Sequence, residues 1–211
     1  MMDLICIESS ELAKHRWTVD GPVMVMPYTD PASAVRAGEF ACKRAGAKGL
    51  VLAVHDAQRQ GFVATVNAAC AVTQSPWVGY MAQDAFAGRD WMGQALQTLH
   101  RESGVLLGFN DGKWHGALAS FGLAQREWVT GVSGGGVFHT GYARHYADVE
   151  LTLLALQASG YVYNPDSVLM EVDWGKEGTP VNRADRVLYR ERVAQGFDGR
   201  VREPLLLGMF Q

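Results

Sequence analysis

Short apolar runs alternate with longer stretches of helical periodicity through the first half of the chain. The run VMVMPY, over residues 23–28, is followed by Thr29 or Asp30 as a helix cap and by Pro31, which suits the first turn of a helix. Small apolar residues then recur at helical spacing until a second run, GLVLAVHD, which ends at Asp56. The pattern predicts a strand, a helix and a second strand.

The same alternation continues to residue 111. A helical stretch of small residues, FVATVNAACAVTQ, precedes a third apolar run, WVGYMAQD, which ends at Asp84. An amphipathic helix with Trp91 on its apolar face leads to a fourth run, GVLLGFND, which ends at Asp111. Apolar runs separated by helices predict an α/β fold with a mostly parallel central sheet and helices on both faces. Ligands of such sheets bind beyond the carboxyl ends of the strands, which makes Asp56, Asp84 and Asp111 candidate site residues.

The second half of the chain is less regular. A glycine-rich stretch, GVSGGGVFHTGY, precedes a predicted helix from about Asp148 to Ser159, and YVYNPDSVLMEVDW follows as a strand pair or bent strand. The polar tail predicts one helix, ADRVLYRERVAQ, before an apolar end, PLLLGMF, that could cover its own core or a neighbour's. No repeat or linker divides the chain, so we expect one domain over 1–211, with a core over 22–174 and a tail over 175–211.

Composition and charge narrow the possible functions. Nineteen basic against twenty-two acidic side chains give a net charge of −3, and the scattered basic residues argue against a nucleic-acid partner. The basic residues of 183–202 are interleaved with acids, which predicts a solvated helix face. No apolar stretch reaches the ~18 residues of a membrane span, and the first residues lack a signal-peptide pattern, so we expect a cytoplasmic protein. The three cysteines form no metal-spaced pair and are expected to be reduced and mostly buried.

Two local patterns carry candidate chemistry. In WVGYMAQDAFAGRDW, Asp84 follows a buried strand and precedes a tryptophan that opens a helix, which suits a divalent cation and, through it, a diphosphate. The alternative is an aspartate that caps a helix or closes a turn. In HYADVELTLL, Asp148 is a candidate general base and Glu150 a second candidate, although acids at a helix start are favoured by the helix dipole whatever their role.

In their order, these features resemble glycosyltransferase family 2, whose members use nucleotide sugars and have the Rossmann-like GT-A fold. The resemblance rests on VMVMPY, LVLAVHD, GFVATVNAACA, YMAQDAFAGRDW, FGLAQREWV and HYADVELTLLALQASGYVYNPDSVLMEV, and covers most of residues 22–174. It implies transfer of a sugar from a nucleoside-diphosphate sugar to a hydroxyl acceptor, inverting and assisted by Mn²⁺ or Mg²⁺. The implied acceptor is a saccharide or a lipid-linked molecule, so peripheral membrane association is an open possibility. A homo-oligomer is open as well.

The resemblance also implies roles for individual residues. Asp148 matches the catalytic base, Asp84 the metal-binding aspartate, and Trp91 a position that packs a helix on the sheet. The implied nucleotide contacts are Pro27, Tyr28, Asp56 and Asn67. Glu171 stands near the place where many members have a histidine, with Asp173 nearby, and either acid could be a second metal ligand or a surface residue.

The chain departs from the family pattern at two places. Ala82 replaces the first acid of the metal motif, so a cation would rest on Asp84, phosphate and water. The segment HDAQRQGF after the second strand is short and is expected to omit a strand. The incomplete motif favours a second hypothesis, a catalytically impaired accessory protein that binds nucleotide on the same fold.

The glycine-rich stretch has two interpretations. Gly134, Gly135 and Gly136, with His139 and His145, predict a mobile acceptor or lid loop that closes over an activated sugar. The alternative is an irregular surface loop. A third functional hypothesis, a metal-dependent hydrolase, would use His139, His145 and Asp148 as metal ligands, although their spacing matches no common zinc signature.

Overall fold

The computed structural model describes residues 1–172 and 181–210, and a sheet of eight strands forms its centre. The strands are β1 (Met2–Glu8), β2 (Trp17–Thr18), β3 (Val23–Tyr28), β4 (Gly49–His55), β5 (Thr73–Gln74), β6 (Trp77–Tyr80), β7 (Ala85–Ala87), β8 (Leu106–Asn110), β9 (Gly122–Gln125) and β10 (Tyr161–Glu171). The helices are a 3₁₀ helix (Ser9–Lys14), α1 (Pro31–Arg44), α2 (Phe62–Val72), α3 (Trp91–Arg101), α4 (Arg126–Val132), α5 (Ala147–Gln157), α6 (Arg183–Ala194), α7 (Gly196–Gly199) and α8 (Pro204–Leu207).

The strand order of the main sheet is β1-β4-β3-β6-β9-β8-β10-β7. The pairs β1–β4, β4–β3, β3–β6 and β8–β10 are parallel, whereas β9 runs antiparallel to both of its neighbours and β7 antiparallel to β10. The strands β2 and β5 form a separate parallel pair. The predicted α/β fold with a mostly parallel, Rossmann-like sheet is confirmed.

The predicted elements of the first half are present, and one strand is shorter than predicted. Asp30 caps α1 by accepting the N–H of Ala32, and Pro31 is its first residue. The third predicted strand ends at Tyr80 rather than at Asp84, because the chain turns between Ala82 and Ala85 before β7 begins. A strand that ends this early puts Asp84 on a turn beyond the sheet edge.

The N-terminal strand β1 was not predicted. It pairs with β4 in register from Met2–Gly49 to Glu8–His55 and occupies the sheet edge beside β4. In the described chain no strand lies between β4 and α2, as the short HDAQRQGF segment predicted. The edge position is therefore filled by residues from the start of the chain, and Glu8 reaches the same strand ends as His55.

Apolar side chains form one cluster on each face of the sheet. On one face α1 and α3 pack against β3, β4 and β8, and the buried Trp91 donates its indole N–H to the carbonyl of Ala41 (2.9 Å). This bond confirms that Trp91 packs its helix on the core. On the other face α2 and α5 cover the sheet.

The C-terminal segment packs on the face covered by α5. Tyr189, Val193 and Phe197 are buried there, and Leu206 and Phe210 lie against the same cluster. The apolar end of the chain thus covers the chain's own core. The predicted solvated face of α6 is present at the exposed Arg186 and Arg190, whereas the same helix buries Arg192, as described below.

The structure also bears on the expected burial of the cysteines and on the expected absence of a membrane span. Cys42 and Cys70 are buried, whereas Cys6 is exposed, so burial holds for two of the three thiols. Over residues 1–172 and 181–210, no helix has both the length and the apolar character that crossing a bilayer requires.

Candidate active site

Three neighbouring strand ends bring Glu8, His55 and Tyr28 side by side. The Tyr28 ring stacks on the His55 ring with centroids 5.0 Å apart and planes inclined by 11°. The carboxylate of Glu8 lies 2.8 Å from His55 Nδ1. Pro27 and Tyr28, the predicted nucleoside contacts, therefore end β3 beside a histidine–carboxylate pair that the sequence analysis had not assigned to the site.

Asp56 follows β4 and is buried. Its carboxylate oxygens accept the backbone N–H groups of Gln60 (2.8 Å) and Gly61 (2.9 Å). Gly61 has a φ of +101°, and a Cβ there would lie 2.8 Å from the carbonyl oxygen of Ala143, so glycine is required at this turn. Asp56 thereby fixes the turn that leads into α2.

Asn67 anchors the end of the glycine-rich loop. Its Oδ1 accepts the N–H groups of Val137 (2.8 Å) and Phe138 (3.0 Å), and its Nδ2 donates to the carbonyl of Phe138 (2.9 Å). A Cβ on Gly136 would lie 2.6 Å from Asn67 Oδ1, so this close approach also needs glycine. The side chain of Asn67 is thus engaged with the protein backbone.

Gly134 and Gly135 form the projecting part of the same loop. Both are exposed, both have positive φ (+71° and +104°), and open space surrounds the position of a Cβ on either one. The loop is therefore held at residues 137–138 and open to solvent at its tip.

The backbone brings the candidate metal residues to one sheet edge. Ala85 pairs with Glu171 in the β7–β10 ladder, and the carbonyl of Asp84 accepts the N–H of Val172 (3.3 Å). The carbonyl of Asp111 accepts the N–H of Glu171 (3.4 Å). Asp84, Asp111 and Glu171 therefore neighbour one another at the end of β10, while Asp173 lies outside the described residues.

A cavity of about 270 Å³ opens beside Asp84. Gln83 also lines it, and its Oε1 accepts the N–H groups of Thr29 (2.8 Å) and Asp30 (3.0 Å). Gln83 ties the turn that carries Asp84 to the loop between β3 and α1. The sequence analysis missed this role, although Gln83 occupies the central position of the incomplete metal motif. The side chains that line the cavity include Ser33, Arg36, Gln83, Asp84, Phe86 and Val172.

Asp148 is half-buried at the start of α5. Within the described chain its carboxylate accepts hydrogen bonds only from backbone N–H groups at this helix start, including that of Val149 (3.0 Å). Loss of solvent raises its pKa to about 6, the backbone N–H groups lower it, and the nearby negative charge of Asp111 raises it further. A carboxylate with such a pKa can gain and lose a proton near neutral pH.

Glu150 lies in a different environment from Asp148. It is buried, and its oxygens accept hydrogen bonds from Arg192 Nε and Nη2 (2.7 Å each) and from the hydroxyl of Tyr142 (2.9 Å). Arg192 also contacts Asp198 (3.2 Å). The hydrogen bonds to Glu150 raise the pKa of the Arg192 guanidinium above its usual range, so the guanidinium stays charged.

His139 and His145 lie at opposite ends of the segment before α5. His139 Nδ1 accepts the N–H of Gly141 (3.1 Å), and His145 Nδ1 accepts the N–H of Asn182 (3.3 Å). Burial lowers the pKa of both rings below the usual value. The buried carboxylate of Asp185 accepts the N–H groups of residues 143, 144 and 145, so α6 holds this segment in place.

The described parts of the chain, 1–172 and 181–210, contain no group of three His, Cys, Asp or Glu side chains placed to hold a metal ion. The hydrolase hypothesis required such a group at His139, His145 and Asp148, so the described residues do not support it. A cation at Asp84 and Glu171 would need further ligands from beyond the described side chains, such as phosphate or water.

Asp111, which the sequence marked as a strand-end candidate without a role, is buried. Its carboxylate accepts the N–H groups of Lys113 (2.9 Å) and Trp114 (2.8 Å) and the hydroxyl of Ser120. Its carbonyl accepts the N–H of Glu171, and its carboxylate lies close enough to Asp148 for its charge to raise the pKa of Asp148.

Comparison with solved structures identifies the fold. The chain is similar to a mannosyltransferase from Pyrobaculum calidifontis solved in complex with GDP-Man and Mn²⁺, with a TM-score of 0.58 and 13% sequence identity. The match covers 95% of this chain and 74% of that one. No protein-family model and no curated protein sequence matches. The chain therefore has the fold of a glycosyltransferase.

Proposed function

We propose that the protein is a nucleotide-sugar glycosyltransferase of family 2 that transfers a sugar to a hydroxyl acceptor with inversion. One observation carries the proposal. On a glycosyltransferase fold, the half-buried Asp148 lies within electrostatic reach of Asp111, which neighbours Asp84 and Glu171 at the edge where such sheets bind ligands. That arrangement offers a base and a diphosphate site at the same edge of the sheet.

The proposed reaction is a single displacement. The acceptor oxygen forms a bond to the anomeric carbon of the donor sugar while the bond from that carbon to the diphosphate oxygen breaks. The bonding electron pair leaves with the nucleoside diphosphate, and the acceptor proton passes to the Asp148 carboxylate.

Asp148 suits the role of base better than Glu150. The oxygens of Glu150 are occupied by Arg192 and Tyr142, and protonation would break a buried ion pair. Within the described residues, the carboxylate of Asp148 accepts hydrogen bonds only from backbone N–H groups, and the residue remains partly open to solvent. Glu150 then has a positioning role, because it fixes the helix turn that carries Asp148.

Asp84 and Glu171 are the proposed ligands of Mn²⁺ or Mg²⁺. The residues fit this group, because Mg²⁺ and Mn²⁺ take one or two carboxylates and complete their coordination with phosphate and water. When bound, the cation stabilises the negative charge of the departing diphosphate. Gln83 positions Asp84 by holding its turn against the loop after β3.

The remaining assignments extend the same proposal. Pro27, Tyr28, Asp56 and Asn67 are proposed to surround the nucleotide, with Asp56 and Asn67 also shaping the backbone there. Gly134, Gly135 and Gly136, with His139 and His145, are proposed to form a lid on the acceptor side, its tip moving while Asn67 holds its end. The proposal includes a cytoplasmic, single-domain enzyme with no nucleic-acid partner, and peripheral membrane association if the acceptor is lipid-linked.

Thermal unfolding against UDP, GDP, CDP, CMP and TDP, each with and without Mn²⁺, tests the proposal. A ligand that binds only the native state stabilises it by mass action, by about 2.7 kcal/mol when the ligand is present at 100 times its Kd. This stabilisation raises the unfolding midpoint. A shift that appears for one nucleotide and requires Mn²⁺ is expected. The absence of any shift would contradict the proposed donor site.

We predict that Asp84→Asn removes most of the Mn²⁺-dependent part of that shift. The substitution replaces a charged oxygen ligand with a neutral amide of nearly the same size, so metal affinity falls while the fold is retained. Asp20→Asn, at an exposed aspartate, is the matched control and should behave as wild type. An unchanged Mn²⁺ dependence in Asp84→Asn would remove Asp84 from the metal site.

We predict an acid limb in the pH profile of turnover with a midpoint near pH 6. Below this pH Asp148 is protonated and cannot accept the acceptor proton, so kcat rises as pH increases through the pKa of about 6. The negative charge of Asp111 is one cause of this raised pKa, and the buried Tyr80 hydroxyl lies in the same electrostatic environment. Asp111→Asn should therefore move the limb to lower pH, and a limb that stays in place would exclude this coupling.

A second candidate function is favoured by Ala82, which stands where the first acid of the metal motif is expected. A nucleotide-binding accessory protein on the same fold would show the thermal shift without sugar transfer or donor hydrolysis. Turnover assays with sugar donors that carry the nucleotide identified by the thermal shift distinguish the two functions.

A further inference from the structure

The loop over 111–120 exposes a tryptophan beside the candidate site. The side chain of Trp114 is 40% exposed, and it is the one exposed tryptophan in the described part of the chain. Tryptophan carries the largest apolar surface of any side chain, so its exposure leaves a wide flat face available for contact. The neighbouring Lys113 and His115 are exposed and polar.

The backbone that carries Trp114 is held in place. Asp111 accepts the N–H of Trp114 (2.8 Å), and the carbonyl of Trp114 accepts the N–H of Ala117 (2.8 Å). Gly116 has a φ of +85°, and a Cβ there would lie 2.5 Å from the Tyr163 ring, so the loop packs closely on β10. The indole is therefore presented from a fixed loop.

The far end of the loop is docked on the helix that carries Asp148. The N–H of Ala119 donates to Thr152 Oγ1 (3.1 Å), and that hydroxyl donates to the carbonyl of Asp148 (2.7 Å). At its near end, the carbonyl of Asp111 accepts the N–H of Glu171. The loop thus spans from the proposed metal side to the proposed base, which is where an acceptor must approach.

We propose that Trp114 is a stacking platform for a sugar ring of the acceptor, and that the acceptor is accordingly a saccharide. The inference rests on the proposed function, since it assigns the acceptor class for the same site. One face of a pyranose presents C–H groups, which the negative face of an indole attracts, while its rim of hydroxyls needs polar neighbours. Lys113 and His115 supply polar neighbours, whereas a lipid chain would be favoured by apolar ones.

Saturation-transfer NMR on the full chain tests the platform with four disaccharide probes: maltose, cellobiose, chitobiose and mannobiose. Each sample also contains a nucleoside diphosphate, and no Mn²⁺ is added. At least one disaccharide is expected to bind wild type, with affinity lowered about tenfold in Trp114→Ala and largely kept in Trp114→Phe. Leu205→Ala, at an exposed apolar side chain on α8, is the control and should bind as wild type. Equal unfolding midpoints for the four proteins ensure that folding is not the cause.

Two results would overturn the inference. One is the absence of binding by every disaccharide, and the other is equal binding by Trp114→Ala and wild type. The nucleotide thermal shift separates this failure from failure of the proposed function. A shift without saccharide binding removes the platform alone, whereas Trp114-dependent saccharide binding without any nucleotide shift removes the transferase and keeps a saccharide site.

Discussion

Asp148→Asn is expected to lower turnover by about two to four orders of magnitude, the range that general-base catalysis contributes. The amide keeps the size of the side chain and removes its ability to accept the acceptor proton. Donor binding should be unchanged, because the proposed nucleotide and metal contacts lie on elements other than α5. The measurement is release of nucleoside diphosphate from sugar donors that carry the nucleotide identified by the thermal shift.

The stability of the Asp148→Asn variant can also be predicted. Burial raises the pKa of Asp148, so the ionised form costs folding free energy above about pH 6, and this cost is absent below the unfolded pKa of about 4. Asp148→Asn removes that charge and should be at least as stable as wild type at pH 7.5. Its unfolding midpoint, measured beside that of the exposed control Asp166→Asn, separates loss of chemistry from loss of structure.

Near-wild-type turnover in Asp148→Asn would exclude Asp148 as the base. Glu150 is not used as the test residue, because loss of activity in a Glu150 variant would have two possible causes. Loss of activity in a Glu150 variant would follow from the broken ion pair with Arg192 whether or not Glu150 took part in the chemistry.

The sequence predicted those helices and strands that are determined by neighbouring residues in the chain. The cap at Asp30, Pro31 at the helix start and the buried runs of β3 and β4 depend on neighbouring residues, so they are readable from the chain. The strand β1 could not be read in this way, because its place depends on pairing with residues 49–55.

The same division applies to the candidate site. The positions of Asp84 and Asp148 follow from a strand end and a helix start, which the sequence shows. The partners that distinguish roles lie far along the chain: Arg192 is 42 residues from Glu150, and Val137 is 70 residues from Asn67. No local pattern reveals such contacts, so the sequence could rank Asp148 ahead of Glu150 but could not show the ion pair that occupies Glu150 or the anchoring role of Asn67.

Arg192→Met is expected to lower the free energy of unfolding by about 3–5 kcal/mol, because it leaves the buried Glu150 carboxylate without its cation. For a chain of this size that loss corresponds to about 10 °C in the unfolding midpoint. Arg190→Met, on the exposed face of the same helix, is the matched control and should stay within about 0.5 kcal/mol of wild type. Urea unfolding of the three proteins gives the comparison.

The double variant Arg192→Met with Glu150→Gln identifies the physical cause. If the single substitution is costly because it leaves an unpaired buried charge, neutralising Glu150 should recover part of the loss, whereas independent contacts would give additive losses. Tyr142 can still donate to the glutamine oxygen, so this hydrogen bond is kept. Recovery would mean that α6 holds the first turn of α5 through this pair, and additive losses would reduce Arg192 to a packing residue. The proposed base depends on the answer, since Asp148 lies on that turn.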